Sequence, residues 1–334
     1  MMLIPISTSV LPVLLFLLTL IILDSYKLVK VRWIVLAIFV GTLTAAISLS
    51  INAALLDSIF RRSDLYIRYV APVIEECLKA GFVVYLLRTK RIGFMVDAAI
   101  FGFAVGAGFA LTENVYFLRA VENPNLLLWI LRGFGTAVMH GGTTAICSVI
   151  SKNLSDRFPE KSAVIFLPGI AAAIIIHSFF NHFFLPPVLE TLFFLVSLPA
   201  IFMAVFKQSE HSTREWLGVG LDADMELLNL ITTGNLSDSN IGKYLHSLRE
   251  KFPGQMIADM ICLLRLHTEL ALRAKGVLMM RNMGFDETPD PEIREKFNEL
   301  RYLDKSLGTT GKLAIAPFLH TSSRDLWQIY MLEK

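Results

Sequence analysis

Apolar stretches of about 20 residues recur along residues 1–206, separated by short segments rich in charged and turn-forming residues. A helix that rises about 1.5 Å per residue needs roughly this length to cross a hydrocarbon layer about 30 Å thick. The pattern therefore predicts a bundle of seven transmembrane helices. Their predicted ranges are 2–23, 33–56, 66–87, 94–118, 126–150, 162–185 and 188–206.

The composition changes after Phe206. Residues 207–334 carry 16 Lys and Arg and 18 Asp and Glu, which leaves 15 and 11 for residues 1–206. Apolar residues recur at helical spacing over 222–231, 238–251 and 255–283, and Gly284 is expected to end the last of these helices. The predicted fold class is therefore all-α, with a transmembrane bundle over 1–206 and a small, mostly helical cytoplasmic domain over 207–334.

Lys and Arg in the short loops predict the orientation of the bundle. The loops after the first, third and fifth spans hold nine of these residues, against four on the opposite side. The nine are Lys27, Lys30, Arg32, Arg88, Lys90, Arg91, Lys152, Arg157 and Lys161, and the four are Arg61, Arg62, Arg68 and Arg119. Because positive loops stay in the cytoplasm, we expect an outside N-terminus and a cytoplasmic C-terminus. The net charge of +2, without a basic stripe, predicts no nucleic-acid partner.

Four of the predicted spans carry ionisable side chains far from their ends. They are Glu75, Glu76 and Lys79 in the third span, Glu113 in the fourth, His140 in the fifth and His177 in the sixth. One charge near the bilayer centre costs on the order of 3 kcal/mol to insert. These groups are therefore expected to face the bundle interior, where they pair with one another or contact water.

The predicted depths of these side chains are compatible with a single site. At a rise of about 1.5 Å per residue, Glu113 lies about 8 Å, His177 about 12 Å, Glu75 about 14 Å and His140 about 21 Å from the outer face. The ends of a predicted span shift by a few residues, so these depths predict one water-filled pocket in the outer half of the membrane. Gly102 and Gly106 permit close helix packing that would bring Glu113 to its neighbours.

The spacing within the third span separates the two glutamates. Lys79 lies four residues after Glu75 and three after Glu76, so its ammonium group can reach either carboxylate. Adjacent residues on a helix point about 100° apart. We expect one carboxylate to be held by Lys79 or a neighbouring helix, and the other to act as a general base.

At these residues the chain resembles the PrsW family of membrane proteases, and more distantly the CAAX prenyl-protein proteases. The first family motif, Glu-Glu-x-x-Lys, stands here as Glu75-Glu76-Cys-Leu-Lys79, and the second, Phe-x-x-x-Glu, as Phe109-Ala-Leu-Thr-Glu113. The third, of the type His-x-x-x-Asp, stands as His177-Ser-Phe-Phe-Asn181, where asparagine keeps a hydrogen-bonding group and removes a charge. His140 also looks like a family feature. The resemblance covers about residues 65–205.

The resemblance implies hydrolysis of a peptide bond in a membrane-anchored protein or peptide, in the lipid bilayer of a bacterial cytoplasmic membrane. One possible mechanism has a glutamate that activates water, with His177, oriented by Asn181, stabilising the oxyanion together with His140. The other is zinc-assisted hydrolysis, with ligands drawn from Glu75, Glu76, Glu113, His140 and His177. No His-Glu-x-x-His pair is present, and we favour the metal-free mechanism at this point.

Three other interpretations of the same residues stay open. Buried Glu, Lys and His also build the proton relays of coupled transporters, although the chain shows no inverted repeat. A catalytically inactive scaffold, or a purely structural ion network, would keep the packing without the chemistry. Asp97 is a separate case, because a carboxylate at the start of the fourth span favours the helix dipole.

Overall fold

The computed structural model describes residues 3–24, 29–57, 64–120, 126–158, 162–285, 291–319, 329, 331 and 332. Every regular element in this part of the chain is helical, which confirms the all-α prediction. The chain divides into two compact units, Met1–Ser209 and Glu210–Lys334. Of the residues used to predict orientation, Lys27, Arg61, Arg62, Lys161 and the side chain of Arg119 lie outside the described part, and the orientation stays a prediction.

Eight helices begin in the first unit, close to the predicted boundaries. They are α1 (Leu3–Ile22), α2 (Val31–Leu55), α3 (Ala71–Arg88), α4 (Met95–Ala120), α5 (Leu126–Leu131), α6 (Ala137–Arg157), α7 (Leu167–Asn181) and α8 (Pro187–Thr232). The α8 helix continues through the boundary between the two units. The predicted span 188–206 therefore lies inside a longer helix, because the sequence after it contains no Pro or Gly before Gly218, and the domain boundary at residue 206 stays a prediction.

Within the described residues, four segments are long and apolar enough to cross a membrane. They are Val31–Leu55, Met95–Phe117, Ala163–Asn181 and Pro187–Thr232. The helix α3 does not qualify because it carries Glu75, Glu76, Lys79 and Arg88 within 18 residues. Of the helices that carry the predicted site residues, α4 and α7 lie in candidate spans and α3 does not, and the count of seven spans stays a prediction.

Helix α4 is the central helix of the first unit. In the most apolar 18-residue stretch of α4, 83% of the residues are buried, against 28–33% in the other three candidate spans. Gly106 makes this position possible, because a Cβ added there would collide with the backbone carbonyl of His140 on α6. Gly102 meets the backbone of Thr144 in the same way. The close approach predicted for the Gly102 and Gly106 pair therefore occurs against α6, the helix that carries His140.

Two π-helical turns precede helices of the predicted site. Tyr66–Val70 leads directly into α3, and Arg132–Thr136 joins α5 to α6. A π turn inserts one extra residue into a helix and is often found at functional sites.

Asp97 lies in the first turn of α4. Its carboxylate accepts hydrogen bonds from the backbone N–H groups of Gly93 and Phe94 at 2.9 and 3.1 Å. This is the N-terminal role expected for Asp97.

The second unit contains the end of α8 and three further helices, α9 (Asn240–Ser247), α10 (Gly254–Asn282) and α11 (Pro291–Ile315). Gly284 has the left-handed φ of 84° just after α10, and Phe285 N–H bonds back to Met280 O at 3.0 Å. The prediction that Gly284 ends this helix is confirmed. Leu263, Leu266, Leu270 and Phe297 lie in the apolar core between α10 and α11.

Candidate active site

Four helices of the first unit bring six of the predicted site residues together. They are Glu75, Glu76 and Lys79 on α3, Glu113 on α4, His140 on α6 and His177 on α7, and their contacts form one connected network. The rings of His140 and His177 lie at right angles with centroids 4.8 Å apart. Side chains that are separated by up to 102 positions in the sequence thus share one site.

Glu76 is the most enclosed carboxylate of the network, with a side chain only 1% exposed. Its Oε1 accepts hydrogen bonds from Lys79 Nζ at 2.6 Å and from His177 Nδ1 at 2.7 Å. The hydroxyl of Thr143 on α6 lies 3.4 Å from the same oxygen. Glu76 is therefore the carboxylate held by Lys79, and it fixes the ring of His177.

Glu75 is held differently and is partly open to solvent, at 14% side-chain exposure. Asn52 on α2 donates a hydrogen bond from Nδ2 to Glu75 Oε1 at 3.0 Å, and Tyr66 donates from its hydroxyl to Asn52 Oδ1 at 2.7 Å. The other oxygen, Oε2, faces His177 Nε2 at 3.8 Å. This oxygen makes no hydrogen bond in the described part of the chain, so it is free to bind another group.

His140 connects Lys79 to Glu113. Its Nδ1 lies 3.2 Å from Lys79 Nζ, and its Nε2 lies 2.7 Å from Glu113 Oε2. The side chain of Glu113 is 19% exposed, and Arg132 Nη2 lies 3.5 Å from its Oε1. Glu113 is therefore the most accessible carboxylate of the network.

The partners of the two histidines assign their protons. An ammonium group only donates, so Lys79 donates to Nδ1 of His140, and Nε2–H of His140 donates to Glu113. Likewise Nδ1–H of His177 donates to the carboxylate of Glu76, and Nε2 of the same ring faces Glu75 Oε2. The His140 ring is neutral in this arrangement, since its Nδ1 accepts from Lys79.

The donor set fits a zinc ion. Ligand atoms of Glu75, His140 and His177 lie within 4.8 Å of one another, and one carboxylate with two imidazoles is a common ligand set for catalytic zinc. The hydrogen bond from His177 to Glu76 also matches the carboxylate partner that metal-ligating histidines usually have. His140 would have to release Lys79 or Glu113 to bind an ion, since both of its nitrogens are engaged.

The comparison with protein families decides the family of the chain. Residues 30–206 match the family described as PrsW family intramembrane metalloprotease. The chain belongs to the PrsW family. It is therefore a membrane-embedded peptidase and an integral membrane protein, and the family implies membrane-protein substrates in a bilayer. No curated protein and no solved structure gives a significant match.

One predicted residue lies apart from the PrsW-type network. Asn181 donates from Nδ2 to the backbone carbonyl of Ile67 at 2.9 Å, and so ties α7 to the π turn before α3. The expectation that Asn181 orients His177 is therefore corrected, because Glu76 does so. His182 also lies outside the network and contacts Ser178 O and the Tyr69 hydroxyl.

Four further residues contact the network and were missed in the sequence, namely Asn52, Tyr66, Thr143 and Arg132. Arg132 could have been identified from the sequence, because an arginine inside a predicted apolar span is unusual. Asn52 was a weaker candidate, as the only amide side chain in the second predicted span. Tyr66 and Thr143 gave no such indication, since both residue types are common in transmembrane helices.

Proposed function

We propose that this PrsW-family chain is an endopeptidase that cuts a membrane-anchored protein or peptide at a zinc site formed by Glu75, His140 and His177. We place it in a bacterial cytoplasmic membrane with its C-terminal domain in the cytoplasm. The observation that carries the proposal is the open pair formed by Glu75 Oε2 and His177 Nε2, 3.8 Å apart. Asn52 binds the other oxygen of Glu75, and Glu76 binds the other ring nitrogen of His177. In the proposed site, Glu75 Oε2 and His177 Nε2 each offer a lone pair to a ligand or a water molecule.

The zinc ion, when bound, would supply an acidified water and polarise the scissile carbonyl. This choice reverses the metal-free preference drawn from the sequence. The reason is that the two glutamates have different surroundings. Glu76 accepts the hydrogen bond from Nδ1 of His177, as carboxylates do beside metal-ligating histidines, and Glu75 places its free oxygen on the open side of the same ring.

The remaining residues of the network hold and move protons. Lys79 neutralises the buried charge of Glu76 through a 2.6 Å ion pair, so that Glu76 stays a hydrogen-bond acceptor for His177. Glu113 is the candidate proton carrier because its side chain is the most exposed of the three carboxylates. It would take a proton from the attacking water and return it to the departing amine.

Two conservative variants test this assignment in purified protein in detergent. The substrate probe is a pool of synthetic single-span peptides, with fragments identified by mass spectrometry. Glu75→Gln should lower both cleavage and bound zinc, whereas Glu113→Gln should keep zinc and lower cleavage by about 100-fold or more. Glu210→Gln is the matched control, because Glu210 is partly exposed and its ion-pair partner within the described residues is Arg214, in the i,i+4 position.

The result that would contradict the zinc assignment is full cleavage by wild-type protein after a chelator has removed all bound metal. Loss of cleavage in that preparation, restored by added zinc, supports it. Unchanged cleavage by Glu75→Gln, with the zinc content also unchanged, would contradict the assignment of the site itself.

A further inference from the structure

The histidines of the site have no spare N–H group to offer an oxyanion. His140 donates Nε2–H to Glu113 and accepts from Lys79 at Nδ1. His177 donates Nδ1–H to Glu76, and the proposed function assigns its Nε2 to the zinc ion. Hydrolysis of a peptide bond places negative charge on the carbonyl oxygen, and a preorganised donor aimed at that oxygen is usually a large part of catalysis. Such a donor must therefore come from another side chain.

Arg132 has such a donor. Its Nη2 is buried and makes no hydrogen bond, although it lies 3.5 Å from Glu113 Oε1. Among the buried side-chain atoms without a hydrogen-bond partner in the described residues, it is the one that forms an ion pair with a member of the network. A buried donor without a hydrogen bond costs about 1–3 kcal/mol, and the ion pair with Glu113 offsets only part of that cost, so Nη2 keeps bonding capacity for a substrate atom.

The rest of the Arg132 side chain is fixed in place. Its Nε donates to Asn114 Oδ1 at 3.1 Å, and its guanidinium carbon lies 3.9 Å from the centroid of the Phe117 ring. Both anchors lie on α4, within four residues of Glu113. Arg132 itself opens the π turn that leads into α6 and His140. The guanidinium is thus held at the edge of the network, with one face on an aromatic ring and one N–H group unused.

We propose that Arg132 is a catalytic residue that donates from Nη2 to the scissile carbonyl oxygen as it becomes an oxyanion. This inference rests on the proposed function and extends it, because it assigns the oxyanion role predicted for His177 and His140 to a residue outside the family motifs. Its position beside Glu113 places the donor next to the proton carrier, so that one substrate carbonyl can meet both groups.

The competing role for Arg132 is a structural one, in which its charge only holds Glu113 in place. Three variants separate the two roles. Arg132→Gln removes the charge, and Arg132→Lys keeps a positive charge beside Glu113 but loses the planar fork. Arg132→Ala leaves a space that added guanidinium ion can fill. Arg214→Gln is the matched control, since Arg214 is exposed and pairs only with Glu210.

The measurements are kcat, KM, zinc content and the affinity of a phosphinic peptide that mimics the tetrahedral intermediate. We expect Arg132→Gln to lower kcat by about 100- to 1000-fold, with KM changed less than about threefold. Affinity for the phosphinic peptide should fall in parallel with kcat, and the zinc content should stay unchanged. Arg132→Lys should recover less than about a tenth of the lost rate. Guanidinium should partly restore Arg132→Ala and leave Arg132→Lys unchanged.

The inference is overturned if Arg132→Lys restores full activity, or if Arg132→Gln loses zinc or raises KM at constant kcat. Those results would assign Arg132 a structural or substrate-anchoring role. A fully active Arg132→Gln beside an inactive Glu75→Gln overturns the inference and leaves the proposed function standing. Full activity of both variants overturns both.

Discussion

In the described part of the chain, each unit contains a lysine–carboxylate pair in which both side chains are buried, and the two pairs are nearly identical in geometry. Lys79 Nζ lies 2.6 Å from Glu76 Oε1 in the first unit, and Lys275 Nζ lies 2.6 Å from Asp224 Oδ2 in the second. The four side chains are at most 2% exposed. Distance and burial alone therefore do not distinguish a site from a structural link.

The surroundings of the two pairs do distinguish them. Lys275 packs 5.4 Å from the centroid of the Trp216 ring, and Gly220 leaves room for its ammonium group, so the pair locks α10 against α8. Around Lys79 the contacts continue to two histidines and end at partly exposed carboxylates with unused lone pairs. The comparison teaches that free bonding capacity next to a buried ion pair, and not the pair itself, indicates chemistry.

Among the tests of this comparison, the largest effect is expected from neutralising the pair in the first unit. The double replacement Glu76→Gln and Lys79→Met removes both charges together, so no uncompensated charge stays buried. The protein should still fold, since neither charge is left buried without its partner and glutamine can still accept the hydrogen bond from His177. Cleavage of single-span peptides should fall by about 10- to 100-fold, together with zinc affinity, because His177 loses its charged partner.

Thermal unfolding in detergent is the control for this double variant. A large drop in the unfolding temperature would mean that the pair holds the bundle together in the way that Asp224 and Lys275 hold the second unit. Unchanged cleavage and zinc affinity in a folded double variant would remove the distinction between the two pairs.

The sequence allowed the motif residues to be predicted, because an ionisable group in an apolar span is costly and stands out. It did not predict the residues that hold them. Asn52 and Tyr66 are uncharged, so they produce no strong departure from the apolar pattern, and their link to Glu75 crosses between helices. The contact of Asn181 with Ile67 depends on a π turn, which no periodic pattern anticipates.

The fold was predictable to a similar degree, and the length of α8 was not. The end of the last predicted span at residue 206 came from a change in composition, whereas a helix ends only where its backbone is interrupted or capped. Lys207, Glu210 and Arg214 favour helix formation as well as apolar residues do. Helix α8 therefore continues to Thr232, where Gly234 adopts a left-handed φ of 78°.

A smaller effect is expected from one added methyl group at the closest helix contact of the site. Gly106→Ala would push a Cβ into the carbonyl of His140 and force α4 away from α6. We expect a loss of about 1–3 kcal/mol in unfolding free energy. Cleavage should also fall, because the Glu113 to His140 hydrogen bond of 2.7 Å spans the same two helices.

Gly276→Ala on α10 is the matched variant in the second unit. A Cβ at this position meets nothing within 4 Å, so alanine should stabilise the helix by about 0.5–1 kcal/mol through its better helix propensity. Unfolding followed by circular dichroism in detergent compares the two variants directly. Equal stability changes in both would show that α4 and α6 can separate freely, against the packing described above.

The smallest effect on cleavage is expected from neutralising the pair in the second unit. The double replacement Asp224→Asn and Lys275→Met repeats the chemistry of the first experiment at a pair in the second unit, where Lys275 packs on the Trp216 ring. Because both charges leave together, stability should change by less than about 2 kcal/mol, and kcat and zinc content should stay within about twofold of wild type. Asp224→Asn alone should destabilise by about 3–5 kcal/mol, since Lys275 would keep a buried, unpaired charge. A double variant that folds, binds zinc and yet loses cleavage would show that the second unit takes part in catalysis, and the contrast between the two lysine pairs would then fail.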